Sequence, residues 1–365
     1  QSMDVQHLDL MLEGQVAALS SGILKTDDAI EVLDKLSASE LYRENMRSFM
    51  LYPIKKVTPF LEKNIIQPHS ISKSKLLSTM LRNNDFSLIE QDADDQFRFR
   101  PQFRNSFDLQ AALHQMIDKE DYKNLVDQEN DLVLEIFEEV FDHRNYTGRS
   151  GTMFSYEGIG SIYWHMISKL LLAVQENYFK AVRTDVSSEK MKKLGQLYYD
   201  IRGGLSAAKT PEEYGAFPYD PYSHTPAHSG AQQPGMTGQV KEEILTRFGE
   251  LGCTVVHGCI RFEPYLLKRS EFLTTKQMFK YYDVFHQKRE LTILENQLAY
   301  TFCQVPVIYT LSDKDNHILL ENTDGSKVEL DGNALDKKQS NPIFNRDGRI
   351  AQIKVFMHNN ILFNR

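Results

Sequence analysis

The hydrophobic pattern of this chain changes once along its length, from a helical period to the alternation typical of strands. Before about residue 250, apolar residues recur every three or four positions, as at Leu12, Val16 and Leu19. After it, short runs rich in β-branched and aromatic residues alternate with turn signals. The sequence therefore predicts a helical domain over residues 1–250 and a smaller antiparallel β domain, a sandwich or a single sheet, over residues 251–365.

Capping and turn residues indicate the boundaries of the predicted elements. After two N-terminal helices, the periodicity predicts helices over 39–51, 72–82, 107–117, 128–141, 161–181, 187–202 and 237–249. Strands are predicted within 253–264, 298–311, 317–322, 326–330 and 350–357. Asp324 and Gly325 form a two-residue hairpin signal, because both turn positions need positive φ. These elements predict a mainly α protein with a C-terminal β domain.

Composition and charge exclude several classes of function. A net charge of -8 and a pI near 5.8 oppose binding to nucleic acids and to anionic membranes, which attract basic patches. The longest apolar run, 159–174, contains His165 and Lys169 and is shorter than the roughly 20 residues of a membrane span. The three cysteines suit neither a disulfide framework nor a zinc site. We therefore expect no nucleic acid, membrane, metal or cofactor.

The N-terminal sequence lacks the basic and apolar regions of a signal peptide. This absence predicts a cytoplasmic location, or a periplasmic one if a cleaved signal has been removed.

One carboxylate stands among glycines and aromatic residues just before a long apolar helix. In GRSGTMFSYEGIGSIYWHM, residues 148–166, Glu157 lies between Gly151 and Gly158. Two interpretations remain open. Glu157 is either a first-turn residue that the helix dipole stabilises, or a catalytic or sugar-binding group. The flanking glycines permit a close approach of the backbone to a ligand, which favours function.

A proline-rich segment separates two of the predicted helices. Residues 203–236 hold five glycines and five prolines, a composition that blocks both helix and central strand. Its polar and aromatic residues include Tyr214, Phe217, Tyr219, Asp220, Tyr222, His224 and His228. Aromatic rings beside hydrogen-bonding groups suit a sugar, which has an apolar ring face and many hydroxyls. The segment is therefore either a site-forming loop or a structural loop packed between domains.

The stretches GTMFSYEGIGSIYWHMISKLLL (151–172) and DPYSHTPAHSGAQQPGMTGQVKEEILTRFGELGCTVVHGCIRFEPYL (220–266) follow a recognisable order. A glycine-rich approach leads into a helix, and a Tyr-Ser-His loop, a Thr-Gly helix start and a strand ending in Glu-Pro come later. Together they resemble the C-terminal half of the cellobiose-phosphorylase-like enzymes of glycoside hydrolase family 94. The resemblance implies an (α/α)6 barrel of the six-hairpin glycosidase type, followed by a β domain, and inverting cleavage of glucosidic or related bonds.

The resemblance also assigns roles to residues. Thr237 and Gly238 fall on the family's phosphate-binding pair, where N–H groups at a helix start meet the anion. The alternative is that Thr237 only caps a helix beginning at Gln239. The phosphorylases carry a phosphate-binding histidine near the position held here by Tyr156 or Glu157. A carboxylate repels a phosphate dianion but can activate water, which favours hydrolysis.

An inverting glycosidase needs an acid roughly 6.5 to 9.5 Å from its base. The family's acid is an aspartate in a tryptophan motif, but the single tryptophan here, Trp164, follows Glu157. Asp220 is the candidate acid, although it also suits an Asx-turn. The missing acid motif and the small number of helices predict the C-terminal portion of a larger enzyme, or a subunit that a partner chain completes.

The preferred hypothesis is an inverting glycoside hydrolase acting on disaccharides or oligosaccharides, with Glu157 as general base. The alternatives are a glycoside phosphorylase that binds inorganic phosphate at Thr237 and Gly238, and a non-catalytic carbohydrate-binding or structural module. Arg202 is a further candidate for binding anions. The candidate catalytic residues are Glu157 and Asp220, and the candidate substrate-binding residues are Arg149, Tyr156, Tyr219, Tyr222, His224, His228, Thr237 and Gly238.

Overall fold

The computed structural model describes residues 10–54, 62–143, 162–184, 186–205, 208–209, 237–313 and 316–363. The chain divides into two compact units. The first, here the core unit, comprises Gln1–Phe49 and Ile162–Arg365, and the second, here the inserted unit, comprises Met50–Ser161. The predicted boundary at residue 251 lies inside the core unit, and it stays a prediction.

The helices of the described residues are numbered along the chain. They are α1 Leu12–Ser20, α2 Thr26–Ser37, α3 Pro68–Lys73, α4 Lys75–Arg82, α5 Ser106–Met116, α6 Lys123–Phe141, α7 Trp164–Arg183, α8 Ser188–Gly203, α9 Thr237–Glu250 and α10 Lys337–Asn345. None of them is both long and apolar enough to cross a membrane.

The strands are numbered in the same way. They are β1 Tyr42–Arg43, β2 Ser48–Phe49, β3 Ile89–Gln91, β4 Phe97–Phe99, β5 Cys253–Val256, β6 Cys259–Phe262, β7 Gln277–Tyr282, β8 Lys288–Ile293, β9 Gln297–Phe302, β10 Val305–Leu311, β11 His317–Asn322, β12 Lys327–Asp331 and β13 Ile350–Met357.

The helix predicted over 39–51 is wrong. The short strands β1 and β2 pair there as an antiparallel hairpin around the 3-10 turn Glu44–Met46. Arg47 has a left-handed φ of 47°, which a continuous α-helix cannot contain. The rings of Tyr42 and Phe49 contact each other across the hairpin at 5.2 Å. This cross-strand aromatic pair stabilises the hairpin.

Helix α7 is the centre of the helical part of the core unit. Its 20 residues include buried apolar side chains at helical spacing, such as Met166, Leu170 and Val174. It packs against α1, α8 and α9. The side-chain amide of Asn177 donates to the carbonyl of Leu19 at 2.9 Å and so ties α1 to α7. An apolar helix with neighbours on several sides is buried rather than a surface element.

The β part of the core unit is built on a five-stranded sheet in the order β12-β11-β13-β10-β9. All neighbours are antiparallel except β10 and β13, which are parallel, whereas the sequence predicts an antiparallel arrangement. The physical reason is the connection between β12 and β13, which contains α10. This connection turns the chain so that β13 runs parallel to β10. The predicted turn at Asp324 and Gly325 does join β11 to β12, but the loop is four residues long, 323–326, and only Gly325 of the predicted pair has a positive φ, of 84°.

The described residues of the inserted unit form four helices, α3 to α6, and one hairpin, β3–β4. Their apolar core includes Leu77, Leu113 and Phe137. Glu129 of α6 accepts hydrogen bonds from the Ser74 hydroxyl at 2.8 Å and from the Leu76 N–H at 2.9 Å. A carboxylate at a helix start satisfies N–H groups that have no partner within the helix. The unit thus has a core and polar contacts of its own.

Gly195 tests how tightly α8 packs on the C-terminal segment. A Cβ at Gly195 would overlap the ring of Phe363. We expect Gly195→Ala to lower the free energy of unfolding by about 1–3 kcal/mol, because overpacking outweighs the better helix propensity of alanine. Gly14→Ala in α1 is the matched control, since its nearest neighbour would be the Met11 side chain at 3.5 Å. The free energy of unfolding of both variants is measured by urea unfolding. If both variants were more stable than the wild type, the close packing of Gly195 on Phe363 would be contradicted.

Candidate functional site

The structure places two of the sequence-predicted site residues, Thr237 and Gly238, as the first two residues of α9. The other eight lie outside the described residues: Arg149, Tyr156, Glu157, Tyr219, Asp220, Tyr222, His224 and His228. Their roles stay predictions. The structure does describe the two helices that follow these predicted site residues. Helix α7 begins shortly after Glu157, and α9 begins directly after the proline-rich segment. Among the described residues no cluster of His, Cys, Asp and Glu could hold a metal ion.

Helices α7 and α9 are neighbours that run in the same direction. His165, the second residue of α7, lies beside Glu242 near the start of α9. Further along both helices, the amide of Gln175 donates to the Thr246 carbonyl at 2.8 Å. Because the contacts follow the same order on both helices, their N-terminal ends lie together. Each N-terminus carries unpaired N–H groups and the positive end of a helix dipole, so the shared end favours anions.

Helix α9 has an unusual distribution of side chains, because it buries polar residues. Val240, Ile244 and Leu245 are about half exposed. A helix at a protein surface normally buries its apolar stripe. The polar side chains buried at helical spacing are Gln239, Glu242, Thr246 and Glu250. Buried polar groups are costly unless they have partners, so each member of this stripe requires an explanation.

Glu250 is fully paired. Its carboxylate accepts hydrogen bonds from the Tyr198 hydroxyl at 2.6 Å, Arg202 Nε at 3.1 Å and Arg247 Nη1 at 2.7 Å. Arg247 in turn donates to Glu271 at 2.6 Å. This network connects α8, α9 and the segment before β7, and we call it the Glu250 network. The predicted anion ligand Arg202 therefore has a structural partner, although its Nη1 atom is buried without a hydrogen bond.

The Glu250 network perturbs the ionisation of its members. Burial, followed by the nearby Glu250 carboxylate, holds the pKa of Tyr198 well above its usual range. Although burial by itself lowers the pKa of the Arg247 guanidinium, the hydrogen bonds to Glu271 and Glu250 outweigh it and raise that pKa overall. Both groups therefore keep their protons at neutral pH: the phenol is neutral and the guanidinium is charged. A fixed charge pattern of this kind is typical of a structural network.

Glu242 differs from Glu250 in its pairing. Its Oε2 atom lies 3.3 Å from His165 Nε2, but neither atom makes a hydrogen bond of good geometry, and both are buried. The side chain of Glu242 is 4% exposed and that of His165 is 27% exposed. The ring edge with Nδ1 faces the hydroxyl of Tyr163 at 3.5 Å. Part of the His165 ring therefore stays accessible.

A further contact at the start of α7 involves its first residue. The Lys209 ammonium lies 4.9 Å from the centre of the Trp164 ring, within the range of a cation–π interaction. Lys209 also donates to the carbonyl of Met46 at 2.5 Å. These contacts fix Trp164 and with it the direction in which His165 projects.

Comparison with known families finds one match. Residues 57–144 match the model of GH149 phosphorylase insertion domain 2. GH149 is a phosphorylase family related to glycoside hydrolase family 94. The matched residues lie within the inserted unit. No curated protein matches the chain. The match relates the chain to carbohydrate-active phosphorylases, and it supports phosphorolysis better than hydrolysis.

Sequence reasoning missed Glu242 and Glu250 as functional or structural residues. A signal was present, because positions 239, 242, 246 and 250 are all polar and are spaced like one face of a helix. A polar helix face is normally predicted to be exposed to solvent. Only the packing against α7 reveals that this face is buried.

The Glu250 network should be the main source of stability between α8 and α9. We expect Glu250→Ala to lower the free energy of unfolding by about 1–3 kcal/mol, because it leaves the buried Tyr198 hydroxyl and the partly buried Arg202 guanidinium without their acceptor, whereas Arg247 keeps Glu271. Glu31→Ala is the control, since Glu31 pairs with Lys35 on the surface of α2 at 2.7 Å and should change stability by less than about 0.5 kcal/mol. Equal losses of unfolding free energy for the two variants in guanidinium chloride would contradict a stabilising role of the Glu250 network.

Buried tyrosines should make the protein sensitive to alkaline pH. Burial raises the pKa of Tyr178 to about 12. The unfolded chain loses this proton from about pH 10 upward, so the stabilisation is complete below that pH and is lost at about 1.4 kcal/mol per pH unit up to about pH 12. Tyr178→Phe should flatten the decline by that amount when unfolding is compared at about pH 9.5 and 11. Identical slopes for the variant and the wild type would exclude Tyr178 as a cause.

Proposed function

We propose that this chain is part of an inverting glycoside phosphorylase, which cleaves a glucosidic disaccharide or oligosaccharide with inorganic phosphate. The observation that carries the proposal is the match of residues 57–144 to an insertion domain of the GH149 phosphorylases. It agrees with the independent similarity of residues 220–266 to the phosphorylase-type Thr-Gly helix start.

The shared N-terminal end of α7 and α9 supports the proposal. Thr237 and Gly238 begin α9, and α7 brings His165 to the same end. Backbone N–H groups, two helix dipoles and one imidazole edge are a favourable environment for a phosphate. Water gains little from such a positive field, whereas a dianion gains a great deal.

In the proposed reaction, a phosphate oxygen attacks the anomeric carbon from the face opposite the glycosidic oxygen. The bond to that oxygen breaks as the new C–O bond forms, and a general acid donates a proton to the departing oxygen. The products are a sugar 1-phosphate of inverted configuration and a shortened saccharide. Phosphate arrives as an anion, so no residue needs to remove a proton from the nucleophile.

This chemistry redistributes the predicted roles. Glu157 is not required as a base, and hydrolysis becomes the less supported alternative. Asp220 stays the candidate acid, and Tyr219, Tyr222, His224 and His228 stay candidates for sugar binding. The parallel α7 and α9, with α8 joined to α7 by a short connection, are the packing expected of an (α/α)6 barrel, which we also propose. Another segment or partner chain would supply the remaining barrel helices.

The products released with and without phosphate distinguish the candidate functions. We expect this chain, assayed together with the segment or partner chain that completes the barrel, to release sugar 1-phosphate from β-linked glucose disaccharides and oligosaccharides only when inorganic phosphate is present. The reverse reaction should release phosphate from glucose 1-phosphate when an acceptor saccharide is added. Ion chromatography and enzymatic detection of glucose 1-phosphate would measure both directions.

Each other result identifies a different function. Reducing sugar released at the same rate without phosphate would establish hydrolysis, and Glu157→Gln would then be expected to abolish it. Saccharide binding by calorimetry without turnover in either direction would favour a non-catalytic module. Stabilisation of the chain by phosphate against thermal unfolding gives a readout that does not depend on turnover, because a ligand of the native state raises its stability.

A further inference from the structure

Two buried carboxylates lie on the same face of α9 and are treated differently by their surroundings. Glu250 receives three hydrogen bonds and is neutralised by two arginines. Among the described residues, Glu242 has two charged or ionisable neighbours, the exposed Lys241 ammonium at 3.5 Å from Oε1 and the ring of His165 at 3.3 Å from Oε2. A buried, incompletely paired carboxylate costs stability, and such groups persist where they serve a function.

Glu242 lies beside the start of α7. His165 is the second residue of that helix, so the Glu242 carboxylate meets the positive end of its dipole. An imidazole at the same place gains nothing from the dipole when it is protonated. The Glu242 carboxylate offsets this, because its Oε2 lies 3.3 Å from Nε2 and attracts a proton held on that nitrogen.

The two nitrogens of His165 face different surroundings. Nε2 is buried and lies 3.3 Å from Glu242, whereas Nδ1 lies 3.5 Å from the Tyr163 hydroxyl, on the other edge of a side chain that is 27% exposed. A carboxylate next to one ring nitrogen favours the form in which that nitrogen carries a proton, and it fixes the plane of the ring. Nδ1 is then the atom left to meet a ligand. It accepts from a protonated phosphate oxygen when the ring is neutral, and it donates when the ring is charged.

The ligand-facing edge lies close to the start of α9. Glu242 follows Thr237 by five positions, which is roughly 7.5 Å along the helix axis at 1.5 Å per residue. An anion held by the first N–H groups of α9 would therefore lie at the same end of the helix pair as the His165 ring. At this distance the Glu242 carboxylate does not contact the proposed phosphate directly, so the two negative charges stay apart.

We propose that Glu242 is a positioning residue, which orients His165 and holds a proton on its Nε2 so that Nδ1 faces the phosphate. The proposal rests on the proposed phosphorylase function for the identity of the ligand. The orientation of the ring by Glu242 does not depend on that function.

The test compares Glu242→Gln with two controls of equal charge change. Glu243→Gln removes the neighbouring, partly exposed carboxylate, and Glu250→Gln removes a buried one from the Glu250 network. The ¹⁵N chemical shifts of the His165 imidazole report which nitrogen carries the proton. Calorimetric titration with inorganic phosphate measures binding. Glu242→Asp is the conservative variant, and it replaces Glu242→Gln if circular dichroism shows that the latter does not fold.

We expect Glu242→Gln to change the imidazole shifts and to weaken phosphate binding by at least about tenfold, the lower end of what such carboxylates contribute to metal-bound histidines. Glu242→Asp should restore part of the affinity. Both controls should bind phosphate within about twofold of wild type, even though Glu250→Gln lowers the melting temperature.

The outcomes separate this inference from the proposed function. Wild-type imidazole shifts in Glu242→Gln, or unchanged phosphate affinity in that variant, would overturn the positioning role. A wild-type chain that does not bind phosphate, together with altered imidazole shifts in the variant, would overturn the phosphate site and leave the positioning of His165 by Glu242 in place. A loss of affinity in Glu243→Gln equal to that in Glu242→Gln would reduce the effect to net charge and would also refute the inference.

Discussion

The burial of a polar helix face against α7 is the constraint on which the core unit depends. Helix α9 can bury Glu250 only because Tyr198, Arg202 and Arg247 converge on its carboxylate, and a single missing partner would leave an uncompensated charge. The same helix leads directly into the β part of the unit. The carbonyl of Leu251 accepts from the buried hydroxyl of Tyr309 in β10 at 2.6 Å, so the register of the helix and the position of the sheet are coupled.

The two buried carboxylates of α9, Glu250 and Glu242, have different surroundings. The Glu250 network rigidifies the packing of α8 and α9, because its carboxylate accepts three hydrogen bonds from side chains of both helices. An incomplete network, as at Glu242 and His165, lies at the helix ends where an anion is favoured and retains an accessible ring edge. Glu250 lies at the C-terminal end of α9, within the structural network, whereas Glu242 lies near the N-terminal end, where we propose that a ligand binds.

The family evidence and the site evidence come from different parts of the chain. The match to a phosphorylase insertion domain covers residues of the inserted unit, whereas the helix starts that favour phosphate belong to the core unit. Neither part alone supports phosphorolysis as well as both do, because a fold module does not specify chemistry and an anion-binding helix start does not specify a substrate. The electrostatic field at the start of α9 is the link, since it favours a phosphate nucleophile over water.

The sequence by itself determined the elements that depend on local patterns. The apolar period of α7, the turn at Asp324 and Gly325 and the alternation of β13 lead to boundaries within a few residues of those in the structure. It failed for the hairpin at 42–49, where a left-handed residue interrupts the chain, and for β7–β8, whose turn lacks a two-residue signal. Only the tertiary structure decided the parallel pairing of β10 with β13 and the meeting of Glu242 with His165. Such contacts join segments far apart in the chain, and no local pattern encodes which buried faces come together.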